Sequence, residues 1–424
     1  MEGGADVAAL SRAEAQALDA ADPLAHFRAR FVFDDGDRIY VDGNSLGRLP
    51  RETIERLSAR VGEWGSRLVT AWPDWIDLPR RVGDRLADVV GARPGEVVLA
   101  DSTTVNLYKL ALAALDARPG RSAIVTDAAN FPTDRYVFEG IAAARAAELR
   151  LFESDTVEGP TATEAVEACA PGDVALLSLS HVSYRSGALA DMEAITRGAH
   201  EAGALVLWDL SHSAGAVPID LDGAGADLAV GCTYKYLNGG PGAPAFLYVR
   251  SGLEGELRSP IWGWFGQGEQ FAMGPEYDPA PDVTRFLAGT PPVLDLAAVE
   301  AGVDLVLEAG LEPLREKSVA LTELVIDLYD EWLAPLGFGL GTPRNPARRG
   351  SHVSLLHDEG WRICRALIEH AAVVPDFRQP DSIRYGLPPL YTRYVDAWDA
   401  VDRLRRIVEQ GDHMKVDPAP ARVT

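Results

Sequence analysis

The chain has 424 residues, of which 47% are hydrophobic and 24% charged. That is the usage of an ordinary folded protein, so wholesale disorder is excluded and two or three domains, or one large α/β body with an appendage, are expected. Forty Lys and Arg against 63 Asp and Glu leave a formal net charge of −23, which argues against nucleic acid or an anionic membrane as the main partner.

No apolar run is long enough to predict a membrane span. The opening Met1 to Asp6 lacks the apolar stretch of a secretory signal. Cys169, Cys232 and Cys364 are too far apart for a metal spacing or a disulfide framework. A cytoplasmic enzyme with reduced thiols and no metal is therefore expected.

In chain order, residues 1–60 read as two helical stretches around a short strand, Arg38 to Asp42. Seven short apolar runs follow: Val97 to Ala100, Ala123 to Thr126, Leu149 to Phe152, Val174 to Ser180, Ala204 to Trp208, Asp227 to Gly231 and Ala245 to Val249. They are nearly free of polar interruptions, as strands covered on both faces are. Helical patterns lie between them: Val105 to Leu115, Ile141 to Leu149, and Met192 to Ala202, the last with Asp191 as N-cap and Gly203 as stop. This alternation predicts an α/β fold with a mainly parallel seven-stranded sheet and helices on both faces. The last two runs are joined by too few residues for full crossovers, so one is expected to be antiparallel.

Residues 293–332 read as one long helix. Strands Ser351 to Leu356 and Ser382 to Tyr385, with helices Gly360 to His370 and Val395 to Glu409, predict a smaller α+β domain. The tail Asp417 to Thr424 is expected to fray. The expected division is an N-terminal segment, 1–60, packing with the small domain, a large domain at 61–295 and the small domain at 296–424.

Three places carry candidate chemistry. Gly43-Asn44-Ser45-Leu46-Gly47 matches the G-x-S-x-G elbow of α/β-hydrolases. Only one strand precedes it, however, whereas that elbow sits in the middle of an established sheet. The plainer reading is a glycine-bounded turn that presents Asn and Ser at a cleft.

The second place is a pair. One strand ends in Asp209, followed by Ser211 and His212; the next leads to Thr233-Tyr234-Lys235 and the loop Asn238-Gly239-Gly240-Pro241-Gly242. Ligands of open α/β sheets bind beyond the carboxyl ends of the strands. An amine and a carboxylate there suit pyridoxal phosphate: the lysine carries the cofactor as a Schiff base, and the acid keeps the pyridine nitrogen protonated. A salt bridge or two solvated loop charges are the alternatives. The third place is Ser102-Thr103-Thr104, after a strand and at the start of a helix. It reads either as a phosphate cradle or as ordinary capping.

Several blocks then resemble the kynureninase family, a group of pyridoxal-phosphate enzymes with the fold-type-I, aspartate-aminotransferase-like architecture. They are Tyr40 to Gly47 (YVDGNSLG), Phe131-Pro132-Thr133-Asp134, Trp208 to Gly215, Tyr234 to Gly242 (YKYLNGGPG), Gly263 to Gly266 and Arg285 to Pro292. They span Tyr40 to Leu390. The Asp–Lys pair is shared by many relatives of that fold, whereas YKYLN-x-GPG together with FPTD and GNSLG is far more specific.

The resemblance implies pyridoxal 5′-phosphate as cofactor, with Lys235 and Tyr234 as catalytic residues. It places Asp209 on the ring nitrogen with His212 beside it, and Phe131 on the ring face. Asp134 and Ser180 make polar contacts to the ring, and Thr103, Thr104 and Tyr234 serve the phosphate. Trp264 and Thr290 close the phosphate end from the partner subunit of a homodimer. Arg384 grips the substrate α-carboxylate through a guanidinium fork, and Asn44, Ser45 and Trp72 line the aromatic side of the substrate. His181 and Tyr184, in the polar segment after Ser180, receive no role.

The implied reaction is hydrolysis of L-kynurenine, or of its 3-hydroxy form, to the anthranilate and L-alanine, in tryptophan catabolism or anthranilate supply. Another fold-type-I enzyme, such as a desulfurase, a transaminase or a specialised hydrolase, is the alternative. A desulfurase needs a mobile cysteine, and Cys364 lies in a helical pattern. A cofactor-binding regulator would carry a DNA-binding extension, and no basic segment provides one.

Overall fold

The computed structural model describes residues 10–34 and 36–417. The expectations for residues 1–6 and for the tail from 418 fall outside these residues.

Helix α1 (Arg12–Ala21) is opened by a reciprocal cap: Ser11 Oγ accepts from the Glu14 N–H, and the Glu14 carboxylate accepts from the Ser11 N–H. Next come β1 (Ile39–Tyr40), α2 (Arg51–Arg67), the short α3 (Trp72–Trp75) and α4 (Leu78–Val90). Strands and helices then alternate: β2 (Val97–Leu99), α5 (Thr103–Asp116), β3 (Ala123–Asp127), α6 (Pro132–Arg145), β4 (Glu148–Phe152), α7 (Ala162–Cys169), β5 (Val174–Ser180), α8 (Met192–Glu201), β6 (Leu205–Asp209), β7 (Leu228–Gly231) and β8 (Phe246–Val249). The last part holds α9 (Val293–Ala309), α10 (Leu311–Leu328), β9 (Gly339–Leu340), β10 (His352–Leu356), α11 (Gly360–His370), β11 (Val373–Val374), β12 (Asp376–Arg378), β13 (Ser382–Gly386) and α12 (Tyr394–Glu409).

The seven apolar runs form one sheet in the order β2-β8-β7-β6-β5-β3-β4. The reversal falls on β8, which is antiparallel to both its neighbours, while the other pairings are parallel. Alternate strand residues feed two separate cores. Val97, Leu99, Val125, Val206 and Trp208 pack with residues of α4, α8 and α9. Val98, Ile124, Leu205, Leu207 and Val230 pack with those of α5 and α6. Helices thus cover both faces, which is why the strands are apolar without alternation.

A second sheet, β12-β13-β10-β9, is antiparallel and has its own core with α10, α11 and α12. The N-terminal segment docks on it. Strand β1 pairs in parallel with β11, Ile39 opposite Val373. Asp19 of α1 accepts the Tyr394 and Val395 N–H groups at the start of α12 (2.6 and 3.1 Å). No helix of the described residues is long and apolar enough to cross a membrane.

Two expectations are corrected. The helix expected at Ile141 to Leu149 starts at Pro132 and ends at Arg145, and Leu149 belongs to β4. Proline in the first turn suits that start. The single helix expected over 293–332 is two, α9 and α10. They are parted by Gly310 at φ 78° and ψ 141°, a backbone state that glycine alone adopts readily. The limits drawn at 60/61 and 295/296 fall inside α2 and α9.

Candidate active site

The carboxyl ends of the parallel strands meet at one cavity of about 280 Å³. Each wall residue is delivered by the turn after a strand. Ser180 and Asp209 end β5 and β6; Thr103 and Thr104 open α5 beyond β2; Phe131 to Asp134 open α6 beyond β3; Tyr234 and Lys235 follow β7. Nine expected residues line it together: Thr103, Thr104, Phe131, Asp134, Ser180, Asp209, His212, Tyr234 and Lys235. At α5, Ser102 caps the helix by accepting the Val105 N–H (3.3 Å). Capping by Ser102 and a first turn that lines the cavity therefore coexist rather than compete.

The lysine amine is 2.9 Å from Nε2 of His212. Burial, followed by the charge of Lys235, holds His212 well below its ordinary pKa, so its ring is neutral and its Nδ1 is buried without a partner. Asp209 is buried, and its Oδ1 accepts both the N–H and the O–H of Ser211 (2.9 and 2.6 Å). Burial raises its pKa, while the Ser211 bonds and Lys235 oppose the rise. Asp134 is pushed well above the carboxylate range by burial and by the charge of Asp209. Its Oδ2 has no partner. The Tyr234 phenol is held above its ordinary value by neighbouring Cys232 and by burial, so it is a proton holder rather than a phenolate. Ser180 donates to Asn130 Oδ1 (2.7 Å).

Arg384 stands just behind this cavity. It is fully buried on β13, forms an ion pair with Asp376, and donates to the carbonyl of Tyr184, itself a wall residue. Ser45 joins the same group: its Oγ donates to Asp376 (3.3 Å) and accepts from Arg384 (3.4 Å). Asn44 is fully buried, and its amide has no partner at either atom. The turn carrying it passes behind the lysine, where the Gly47 N–H donates to the Tyr234 carbonyl (2.8 Å). Among the described residues no hydrolase-type triad is built on Ser45: the side chains at its hydroxyl are Asp42, Asp376 and Arg384.

Trp72, Trp264 and Thr290 do not line the cavity within one chain. Trp72 and Thr290 border a separate surface hollow with Trp64 and Trp75. Trp72 packs on Phe265 (6.4 Å between rings), and Phe265 on Trp264 (4.5 Å).

Sequence reasoning missed four contributors. Thr133 and Ser211 line the cavity and could have been read from the FPTD and WDLSH blocks that contain them. Tyr184 packs edge-on against Phe131 (5.2 Å), and its polar segment had drawn notice. Asp376 left no signal, because its pairing arises from the register of β12 on β13, Asp376 opposite Arg384.

Comparison with known proteins agrees with this geometry. Residues 39–353 match the class-V aminotransferase family and residues 314–404 the kynureninase C-terminal domain. The chain therefore belongs to the class-V aminotransferase family. It is 46% identical over 409 residues to kynureninase from Pseudomonas fluorescens, covering 94% of this chain and 96% of that one. It is 45% identical over 408 residues to kynureninase from Burkholderia pseudomallei strain 1106a, with the same coverages. Within the class-V family the chain is thus a member of the kynureninases.

Solved structures share the fold at much lower identity. An apo cysteine desulfurase from Thermococcus onnurineus NA1 superimposes with a TM-score of 0.75 at 18% identity, over 88% of this chain and 95% of that one. An alanine–glyoxylate aminotransferase from Nostoc sp. gives 0.69 at 16%, over 88% and 95%. Likeness to a desulfurase ends at the fold. All three cysteines here are buried, and the Cys364 thiol, inside α11, is pushed up to about 12 by burial.

The residues present fit pyridoxal phosphate. The cavity offers an amine, two buried carboxylates, the first turn of a helix, and two buried polar atoms, Asp134 Oδ2 and His212 Nδ1, that lack partners.

Proposed function

We propose that this kynureninase-family enzyme hydrolyses the Cβ–Cγ bond of L-kynurenine to give anthranilate and L-alanine, a hydrolase reaction on a ketonic carbon–carbon bond. The observation that carries the reading is the meeting of Lys235, Asp209 and the α5 N-terminus at one cavity, with Arg384 directly behind it.

Pyridoxal 5′-phosphate, when bound, supplies the electron sink for charge left on the substrate carbons. Asp209 holds the pyridine N–H, and Ser211 keeps that carboxylate oriented. The first-turn amides at Thr103 and Thr104, with Tyr234, hold the phosphate. Phe131 covers the ring face. Lys235, the residue that would hold the cofactor covalently, would take the Cα proton and return it. Arg384 fixes the α-carboxylate and so orients the Cα–H bond toward Lys235. Tyr234, kept protonated, delivers a proton after the carbon–carbon bond breaks. Ser45 and Asn44 border the remainder of the substrate.

Homodimer formation in the cytoplasm completes this reading. Trp64, Val69, Trp262, Phe271 and Met273 are all more than half exposed. Trp264 packs on Phe271 (6.0 Å) and Trp72 shares the hollow with Thr290. An apolar surface of this kind marks an interface. A second copy seated there brings Trp264, Thr290 and Trp72 to a neighbouring site.

The test is direct: purified protein with L-kynurenine is expected to release fluorescent anthranilate and L-alanine in equal amounts. A bound cofactor with neither product sinks the reaction. Ser211→Ala, which removes the 2.6 Å O–H bond to Asp209, is expected to weaken cofactor retention about tenfold. Equilibrium dialysis followed by the cofactor absorbance measures this.

A further inference from the structure

One buried side chain beside the site has no part in the reaction set out above. His352 opens β10 and is wholly buried; the Tyr184 and Arg185 carbonyls approach its ring, but neither ring nitrogen makes a hydrogen bond of ordinary geometry. The register of the small sheet shows what it faces. Across β10 and β13, His352 lies opposite Gly386 and Ser354 opposite Arg384. Directly opposed residues share a face, as do alternate residues of a strand, so His352 and Arg384 point the same way. Between them Gly386 leaves a gap: a methyl group there would fall on Oδ1 of Asn44. The unpartnered Asn44 amide therefore occupies the same face. On the other side, the His352 ring centre is 5.5 Å from that of His212, which touches the Lys235 amine. Gly187 lies against this residue too: a Cβ there would stand 2.9 Å from the His352 carbonyl oxygen and in ordinary contact, at 3.4 Å, with the ring.

His352 thus lies between the guanidinium and the amine that address the two polar groups on the substrate Cα. Burial, with the positive charges of Arg384 and Lys235, keeps the imidazole neutral, with one N–H donor and one acceptor nitrogen. Leaving them poorly paired in the interior costs free energy, and a ligand that pairs them better reduces that cost. Arg384 cannot satisfy a carboxylate alone. Three of its five N–H donors already go to the Tyr184 carbonyl, Asp376 and Ser45, and its Nε has no partner. A carboxylate has about four acceptor positions to fill.

We propose that His352 is a substrate-binding residue that donates a ring N–H to the α-carboxylate held by Arg384, with the Asn44 amide as a second neutral donor. The inference rests on the assignment of Arg384 to that carboxylate.

L-Alanine and 2-aminoacetophenone separate the two ends of the substrate, because only the first carries the α-carboxylate. Alanine binding is read from the change in cofactor absorbance, and 2-aminoacetophenone from inhibition of turnover. In His352→Leu, alanine is expected to bind at least about tenfold more weakly, with KM for kynurenine rising more than kcat falls. The aromatic probe stays within about twofold of wild type. His352→Gln keeps a neutral donor and is expected to stay within about threefold for both probes. Should the leucine variant lose its cofactor band, His352→Asn, whose shorter amide falls short of the carboxylate, carries the same expectation of loss against His352→Gln. Unchanged alanine affinity, or equal weakening of both probes, overturns the inference while wild-type turnover leaves the reaction standing. Absence of anthranilate from the wild type overturns both.

Discussion

Lys235→Ala is expected to release no anthranilate above the background rate and to lose the visible absorbance of the bound cofactor. The fall in kcat/KM is at least about four orders of magnitude, the scale on which removal of a catalytic nucleophile or base acts. The chain has only three other lysines, and none can substitute. Lys109 is buried and held by Asp101 and the Phe286 carbonyl. Lys317 is buried against Asp22 (2.7 Å). Lys415 pairs with Asp412 near the end of the described chain. The effect is confined to chemistry. Lys235 makes one side-chain hydrogen bond, to His212, so alanine leaves the sheet and the Ser211–Asp209 turn intact. Thermal unfolding measured without added cofactor checks that point: a melting temperature close to wild type is expected alongside the lost activity.

Arg384→Leu is expected to do two separable things. The first is loss of substrate: a carboxylate deprived of its buried guanidinium lowers kcat/KM for kynurenine about a hundredfold or more. The second is loss of stability. Asp376 is almost wholly buried, and removing one partner of a buried pair strands the other charge, at about 3 kcal/mol. Arg378, 3.2 Å from the same carboxylate and partly exposed, offsets part of this. The double variant Arg384→Leu/Asp376→Leu removes both charges, so it is expected to recover stability in denaturant unfolding without recovering kcat/KM. Recovery of both would show that the guanidinium serves folding rather than substrate.

How far each of these features could be read from the residues follows from what each residue packs against. The seven strands were legible because a strand covered on both faces has no polar side, and runs such as Val174 to Leu179 show it. The Lys235–Asp209 pair was legible because chain order puts each just after a strand end. The start of α6 was hidden for a reason tied to function. Its first turn, Pro132-Thr133-Asp134, faces the cavity instead of a core, so the apolar spacing begins only at Phe138 and Ile141. The break at Gly310 was marked by Gly310 and Pro313 among the polar residues Glu308, Glu312, Arg315 and Glu316; the helical spacing on either side masked it. Arg384 carried no local sign of its burial, since Asp376 and Tyr184 reach it only through strand register and tertiary contact. Trp72, Trp264 and Thr290 sit in segments without periodicity, where spacing says nothing about which surface a side chain meets.

The docking of the N-terminal segment on the second sheet has a consequence for how the protein is made. Asp19 bonds to the N–H of Tyr394, 375 residues further along, and β1 pairs with β11, close to the other end. At ordinary translation rates of about 5–20 residues per second, this segment waits roughly 20–75 s after its own synthesis for its partner strand and helix to be made. Asn44 and Ser45, just beyond β1, wait with it. The large sheet can form meanwhile, whereas the substrate side of the site is completed only once β11 to β13 have been made. An early-made, unpaired segment carrying Ile39 and Val41, both buried in the core of the second sheet, is therefore a part of the nascent chain that needs shielding.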